Sequence, residues 1–148
     1  MKTFIFLSCI TLFTPLHAQQ TKEEIDSYYE EITKQLLGMS HEQQLLHWES
    51  IELNNGINRL EAYLLASYFF PYNINGCGGV KVPIDGGDHW LVKPLMGIAG
   101  TPMEGFIEVD KKNGGIKYRE ISKSASSVMK EYLKYNKELN STPKNGAN

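Results

Sequence analysis

Residues 105–121 read GFIEVDKKNGGIKYREI, and this stretch decides the fold that the sequence predicts. Apolar and polar side chains alternate over residues 106–110 and 116–121, which is the period of a strand with one buried face. Asn113-Gly114, between the two runs, favours a two-residue hairpin turn because both residues tolerate positive φ angles. We therefore expect an antiparallel hairpin here.

The two-residue turn fixes the expected register of this hairpin, since it places Val109 opposite Tyr118 and Phe106 opposite Ile121. The core face of the hairpin then carries Ile107, Val109, Ile116 and Tyr118. The opposite face carries two pairs of opposite charge, Asp110 with Lys117 and Glu108 with Arg119. A solvated sheet face is the ordinary role of such pairs.

Three helices are predicted ahead of the hairpin. Thr21 and Ser40, each followed three residues later by Glu or Gln, have capping-box spacing and open helices over residues 21–37 and 40–53. The third helix, residues 57–69, is the most apolar, so we expect it to lie centrally against a sheet. Its apolar stripe consists of Ile57, Leu60, Leu64, Leu65 and Tyr68, and Pro71 is expected to close it.

Short strands are predicted between the third helix and the hairpin. Residues 80–84 are typical of an edge strand, because Pro83 cannot donate to a central ladder. Residues 89–96 indicate a second strand that bends near Pro94, and a Gly/Pro-rich loop follows over residues 97–104.

A C-terminal helix is predicted after the hairpin, capped by Ser122 or Ser124 and running to about Leu139. Residues 141–148 are polar and indicate a flexible tail. These elements predict a single α+β domain over residues 19–140, with helices packed on a curved antiparallel sheet.

The first eighteen residues predict a secretory signal peptide. Lys2 precedes an apolar run over residues 4–13, and Ala18 supplies small-residue cleavage chemistry. The run is too short to span a membrane as a helix, so no integral membrane segment is expected after cleavage. A lipid anchor at Cys9 is the less favoured alternative, and the predicted location is periplasmic or secreted.

Composition excludes several classes of protein. The chain has 148 residues and a net charge of −2, with no basic stripe that would indicate nucleic-acid binding. After cleavage Cys77 is the remaining cysteine, so an internal disulfide cannot form, while a bridged homodimer stays open. The histidines, cysteines and carboxylates show no metal-ligand spacing, and no cofactor motif is present.

One catalytic arrangement and one binding loop emerge from the residues alone. Cys77 in its Gly-rich loop would be a nucleophile with His89 as base and Asp85 or Asp88 as orienting group. The expected helix precedes Cys77 instead of following it, which disfavours this reading. The loop over residues 97–105 combines fixed backbone shapes with apolar groups, which indicates either a partner-binding edge or an ordinary strand connection.

The middle of the chain resembles the small NTF2-fold immunity proteins of bacteria, which bind and neutralise secreted antibacterial toxins. The resemblance spans about residues 57–121. The residues that carry it are Ala62 and Ala66, Pro83, Trp90-Leu91-Val92, the run Gly105-Phe106-Ile107-Glu108-Val109-Asp110-Lys111, and Gly115-Ile116. The two N-terminal helices, the loop at Cys77 and the C-terminal helix lie outside that pattern.

The resemblance implies an NTF2-like, cone-like α+β fold and a binding function without catalytic residues or cofactors. An exported copy would occlude a toxin that acts in the periplasm or on the cell wall. The expected contact residues are Asp85, Asp88, His89, Met96, Thr101, Met103 and Glu104.

Two other functions stay open at the level of the sequence. The first is a periplasmic carrier of a small ligand, with a pocket in the concave sheet lined by Trp90, Val92 and Tyr118. The second is a hydrolase that depends on Cys77.

Overall fold

The computed structural model describes residues 21–141 of the chain. The predicted signal peptide and residues 142–148 of the predicted tail lie outside the described residues. Within residues 21–141 the helices are α1 Lys22–Leu37, α2 His41–Glu49, α3 Arg59–Asn73 and α4 Ala125–Ser141. The strands are β1 Gly78–Val80, β2 Ile84–Asp85, β3 His89–Val92, β4 Pro94–Met96, β5 Thr101–Pro102, β6 Ile107–Asp110, β7 Ile116–Tyr118 and β8 Ile121–Lys123.

Both predicted capping boxes form. The Thr21 N–H donates to the Glu24 carboxylate at 2.9 Å, and the Glu24 N–H donates to the Thr21 hydroxyl at 3.2 Å. Ser40 and Gln43 make the same reciprocal bonds at the start of α2. This helix ends at Glu49, four residues before the predicted end at residue 53.

The predicted bounds of α3 are wrong at both ends. The helix begins at Arg59, because Asn58 caps it in a third capping box with Glu61. It then continues through Pro71 to Asn73. The Ile74 N–H donates to the Phe70 carbonyl at 2.9 Å, and the Asn73 side chain donates to the Phe69 carbonyl at 2.8 Å.

The strands form two antiparallel sheets. One has five strands in the order β2-β3-β6-β7-β8, and the other has three in the order β1-β4-β5. The chain passes from the larger to the smaller sheet at Lys93, so the predicted bent strand over residues 89–96 is two strands in different sheets. The predicted loop over residues 97–104 contains β5, which pairs with β4.

The predicted hairpin register is wrong by two residues. Val109 lies opposite Ile116 and Glu108 opposite Lys117, because the turn is a five-residue loop over residues 111–115. Local hydrogen bonds hold this longer loop: the Asp110 carboxylate accepts the backbone N–H groups of residues 112 and 113 at 2.8 and 2.9 Å.

A shift of two residues keeps every side chain on its predicted face of the sheet. The predicted core face is therefore confirmed, and Ile107, Val109, Ile116 and Tyr118 are all buried. The predicted hairpin strand over residues 116–121 ends earlier than expected, since the chain turns at Arg119, where φ is +52°, and then enters β8.

Helix α3 forms the centre of the core, as predicted. It contacts β1 of the smaller sheet and β3, β6 and β7 of the larger one, and α4 packs beside it. Ser124, not Ser122, caps α4 by accepting the Ser127 N–H at 3.2 Å. The domain is thus α+β, with helices on antiparallel sheets and a C-terminal helix. Across residues 21–141, no helix has the length and apolar character needed to cross a membrane.

Candidate partner-binding surface

The structure divides the predicted contact residues into two groups at opposite ends of β3. Asp85, Asp88 and His89 lie where the strand begins, beside Asp110 of β6. Met96, Thr101, Met103 and Glu104 follow in the chain beyond its last residue, Val92. The four residues of β3 separate the two groups by roughly 10 Å.

We call the first group, together with its neighbours Trp90 and Lys111, the polar end. The side chains of Asp85 and His89 lie against other side chains of the chain. The Lys111 ammonium lies 2.6 Å from the Asp85 carboxylate and 4.4 Å from the centre of the Trp90 ring. The hydrogen bond from Lys111, together with one from the Gly87 N–H, lowers the pKa of Asp85. His89 Nε2 lies 3.8 Å from the Asp110 carboxylate.

Trp90 connects this end of the sheet to the segment before α3. Its indole N–H donates to the Ile57 carbonyl at 2.7 Å, and the Ile57 N–H donates to the Lys111 carbonyl at 2.6 Å. The Arg59 guanidinium lies 5.2 Å from the centre of the indole ring. At Gly56, with φ of +89°, an added Cβ would lie 3.1 Å from the Lys111 carbonyl, so a side chain there would be strained.

A cleft of about 460 Å³ lies beside these contacts. It is lined by Asn55, Gly56, Ile57, Asn58, Glu61 and Lys111. None of these six residues was predicted from the sequence as a site residue. The segment Asn54-Asn55-Gly56 has the composition of a turn, and a turn composition gives no indication that the segment docks onto β3.

The second group surrounds the hairpin of β4 and β5. Met96 lies opposite Thr101, and the Gly100 N–H closes the turn by donating to the Gly97 carbonyl at 3.2 Å. Both glycines have positive φ, +70° and +64°, a backbone conformation in which other residues would be strained. At its tip the Ile98 side chain is fully exposed, and Met96 is 47% exposed. The hairpin therefore presents bare apolar side chains on a defined backbone.

Two predicted contact residues beyond the hairpin have different surroundings. Met103 packs against the hydrophobic core, and its N–H donates to the Pro94 carbonyl at 2.9 Å. The Glu104 side chain is exposed and lies 3.6 Å from Arg119, while the Glu104 carbonyl accepts the Tyr118 hydroxyl at 3.0 Å. Of these two residues, Glu104 is the one that offers its side chain to a partner.

The three residues of the alternative sheet pocket contribute to the core. Val92 and Tyr118 are buried in the main hydrophobic cluster, and Trp90 packs against it. The Trp90 N–H and the Tyr118 hydroxyl already have backbone acceptors. A ligand lying among these three side chains would have to displace them.

In the described part of the chain, the alternative thiol site shows no hydrogen bond between Cys77 and His89. Cys77 is exposed, and its carbonyl accepts the Gly97 N–H at 3.1 Å, which places it next to the β4–β5 hairpin. His89 begins β3 of the five-stranded sheet, whereas Cys77 directly precedes β1 of the three-stranded sheet. Among residues 21–141, no three His, Cys, Asp or Glu side chains gather as a metal site would require.

Comparisons of the chain with protein-family models, with curated proteins and with solved structures give no match. The function must therefore be argued from the surface itself and from the resemblance in the sequence. Within residues 21–141, the β4–β5 hairpin is the part of the predicted site that carries a fully exposed apolar side chain, that of Ile98. The sequence signal for it is the pair Gly97 and Gly100 flanking Ile98.

Proposed function

We propose that this protein is an exported immunity protein that binds and occludes a cognate antibacterial toxin, with the β4–β5 hairpin as its main contact. The full exposure of Ile98 at a turn of fixed backbone is the observation that carries the proposal. A rigid apolar anchor surrounded by polar groups is the usual centre of a protein interface. The resemblance over residues 57–121 supplies the class of partner.

Binding through the hairpin costs little conformational entropy, because strand pairing and a hydrogen bond set its shape before the partner binds. Removing an isoleucine side chain from water contributes about 1.5–3 kcal/mol, and a turn already closed by hydrogen bonds has less freedom to lose on binding. Met96 supplies a second apolar contact, while Thr101 and Glu104 supply a polar rim. Occlusion follows if the tip enters the cleft in which the toxin holds its substrate.

The finer features of the fold and location belong to the same proposal. The sheets are proposed to curve around α3 as an NTF2-like cone, which is supported by the contacts of α3 with strands of both sheets. The signal peptide is proposed to be cleaved after Ala18, leaving a periplasmic domain over residues 19–140. This location gives the protein access to a toxin that attacks the cell wall.

A capture experiment tests the proposal. Residues 19–148 carrying an affinity tag are mixed with the secreted proteins of the source cells, and the captured partner is identified, produced separately and assayed for cell-wall hydrolysis. We expect one stoichiometric partner whose activity disappears at a one-to-one ratio. A partner that stays fully active in the complex, or a captured small molecule in place of a protein, contradicts the proposal.

Matched variants then locate the interface. Ile98→Asp should weaken the complex by at least about tenfold, since it replaces the anchor with a charge that must be desolvated. Leu46→Asp is the control, because Leu46 is also an exposed apolar residue, at 59%, but lies on α2. Equal affinities for the two variants would remove the hairpin from the interface. Met103→Asp is unsuitable because Met103 packs against the core.

A further inference from the structure

A series of five aromatic rings crosses the molecule on the side of α3 and α4, and neither the fold nor the proposed interface requires its outer members. We call it the aromatic ladder; it consists of Trp48, Tyr68, Tyr132, Tyr72 and Tyr135. Trp48 is buried and stacks on Tyr132 at 4.2 Å, and Tyr68 lies edge-on to Tyr132 at 5.1 Å. The inner rings therefore fill the core between three helices.

The outer rings of the ladder reach the surface. Tyr72 lies 4.5 Å from Tyr68 and 5.6 Å from Tyr135, measured between ring centres, and the planes of the outer pair meet at 67°. Tyr72 is 50% exposed and Tyr135 is 42% exposed. Because Tyr72 rests on the inner ring of Tyr68 and Tyr135 in turn contacts Tyr72, the pair presents ring faces and hydroxyls at the surface.

The charges around this pair are arranged asymmetrically. On α4, Glu131 and Glu138 stand four residues before and three residues after Tyr135, which places both carboxylates on its face of the helix. Lys130 and Lys137 are at spacings that point to other sides of the helix, whereas Lys134 lies 3.8 Å from Glu138. The field of Glu131 also acts on the ladder: after burial and the neighbouring Tyr72, it further raises the pKa of Tyr68, to about 12.

Helix direction adds to the negative potential. Tyr68 contacts Tyr132 and Tyr72 contacts Tyr135, so α3 and α4 run in the same direction along this contact. Their carboxyl ends, which carry partial negative charge, therefore lie toward the same end of the pair. Neither helix has a basic residue in its last turn to offset that charge.

We propose that Tyr72 and Tyr135, flanked by Glu131 and Glu138, form a docking surface for an arginine-bearing segment of a partner protein. A guanidinium stacks on a tyrosine ring, and its N–H groups donate to carboxylates and phenol oxygens. Lys123 and Lys134 contact these carboxylates at 2.8 and 3.8 Å, and both pairs reach solvent. Lys123 contacts both oxygens of Glu131 in a partly buried pair, whereas the pair of Lys134 with Glu138 is exposed. Exposed pairs contribute little, so an incoming guanidinium competes mainly at Glu138. The inference does not rest on the proposed immunity function.

The charge pattern also argues against a second copy of this chain as the occupant. In a two-fold contact with the α4 helices antiparallel across an axis perpendicular to them, each flank of the surface meets the same flank of the other copy. Glu131 and Glu138 would then oppose the acidic flank of the partner copy. A cationic segment of a different protein matches this surface better.

A peptide pair tests the proposal directly. The purified domain is titrated with a glycine-spaced pentapeptide that carries two arginines, and with the same peptide in which citrulline replaces both arginines. The two peptides match in shape and differ in charge. Binding is followed through the NMR signals of the tyrosine rings, and we expect the arginine peptide to bind at least about threefold more tightly at low salt.

Variants assign that preference to the surface. Tyr135→Leu and Glu138→Gln should each reduce the ratio of the two affinities toward one, while circular dichroism checks that both variants fold. Phe106→Leu is the matched control, because Phe106 is 38% exposed and also has a cation over its ring, but lies outside the ladder. The proposal is overturned if wild-type protein binds both peptides equally, or if Phe106→Leu lowers the ratio as much as Tyr135→Leu does.

Discussion

The polar end of β3 and the β4–β5 hairpin contain the two groups of predicted contact residues. The side chains of the polar end contact one another, whereas the tip of the hairpin is exposed to solvent. At the polar end, Trp90, Asp85 and Lys111 all have partners within the chain. At the hairpin a hydrogen bond closes the turn, the Ile98 side chain is fully exposed and the Met96 side chain is about half exposed. A side chain with internal partners contributes to stability, whereas a bare apolar side chain on a fixed backbone is available to another molecule.

The sharpest test of this contrast is Trp90→Ala, which should cost about 3 kcal/mol of unfolding free energy. The substitution removes a large ring from the edge of the core and leaves the Ile57 carbonyl without its donor. Urea unfolding measures the loss. Trp90→Phe keeps most of the bulk and should cost only about 1 kcal/mol. A loss below 1 kcal/mol for the alanine variant would mean that the polar end is as dispensable for stability as the hairpin.

The aromatic ladder offers a similar comparison, because its inner rings are buried and its outer rings are exposed. Unfolding at alkaline pH tests the buried part. Burial raises the pKa of Tyr68 to about 12, from 10.0. Below pH 10 both the folded and unfolded states keep the proton, so this group gives no pH dependence. Between pH 10 and 12 the unfolded state loses its proton first, so up to about 2–3 kcal/mol of stability is lost as the pH rises.

The control for this prediction is Tyr68→Phe, which lacks the ionisable group. Its unfolding free energy should fall less steeply than that of the wild type over the same pH interval. Identical slopes would show that the Tyr68 phenol has no raised pKa.

Local signals were the part of the fold that the sequence predicted well. A capping box needs only two residues at fixed spacing, and those at Thr21 and Ser40 both formed. Alternation along residues 106–118 identified the buried face of the hairpin correctly. That face survived the two-residue error in register because side chains alternate with a period of two.

The errors arose where a local preference competed with hydrogen bonds the pattern does not reveal. Asp110 accepts two backbone N–H groups and thereby holds a five-residue loop in place of the tight Asn-Gly turn. The helix also continues past Pro71, and the Asn73 side chain and the Ile74 N–H then donate to carbonyls of its last two turns. The docking of Ile57 onto Trp90 joins residues 33 positions apart, and local spacing carries no trace of it.

Within the polar end, replacing the charged Lys111 should cost less unfolding free energy than replacing the packed Trp90. Lys111→Met should cost only about 0.5–1 kcal/mol at neutral pH, because the ion pair with Asp85 is partly exposed. The same change should raise the pKa of Asp85, since Lys111 is the main cause of its lowering. With a lowered pKa, Asp85 adds stability at neutral pH that disappears as the pH falls through that pKa, and the variant should show less of this loss.

An NMR titration of the Asp85 side chain measures that pKa directly. An unchanged pKa in Lys111→Met would show that the ion pair contributes nothing to the polar end. Lys117→Met is a suitable control, because Lys117 lies on the exposed face of β7 opposite Glu108. It should leave the Asp85 titration unaltered.

The smallest effect on stability should come from the residue with the largest proposed effect on binding. Ile98→Asp is expected to change the unfolding free energy by less than about 0.5 kcal/mol, because the side chain is as exposed in the folded chain as in the unfolded one. Met103→Asp, five residues later, should cost several times more, since it places a charge against the core. Urea unfolding of the two variants side by side measures the difference. A stability loss above 1 kcal/mol for Ile98→Asp would mean that Ile98 has a partner within this chain, and the hairpin would then belong with the polar end.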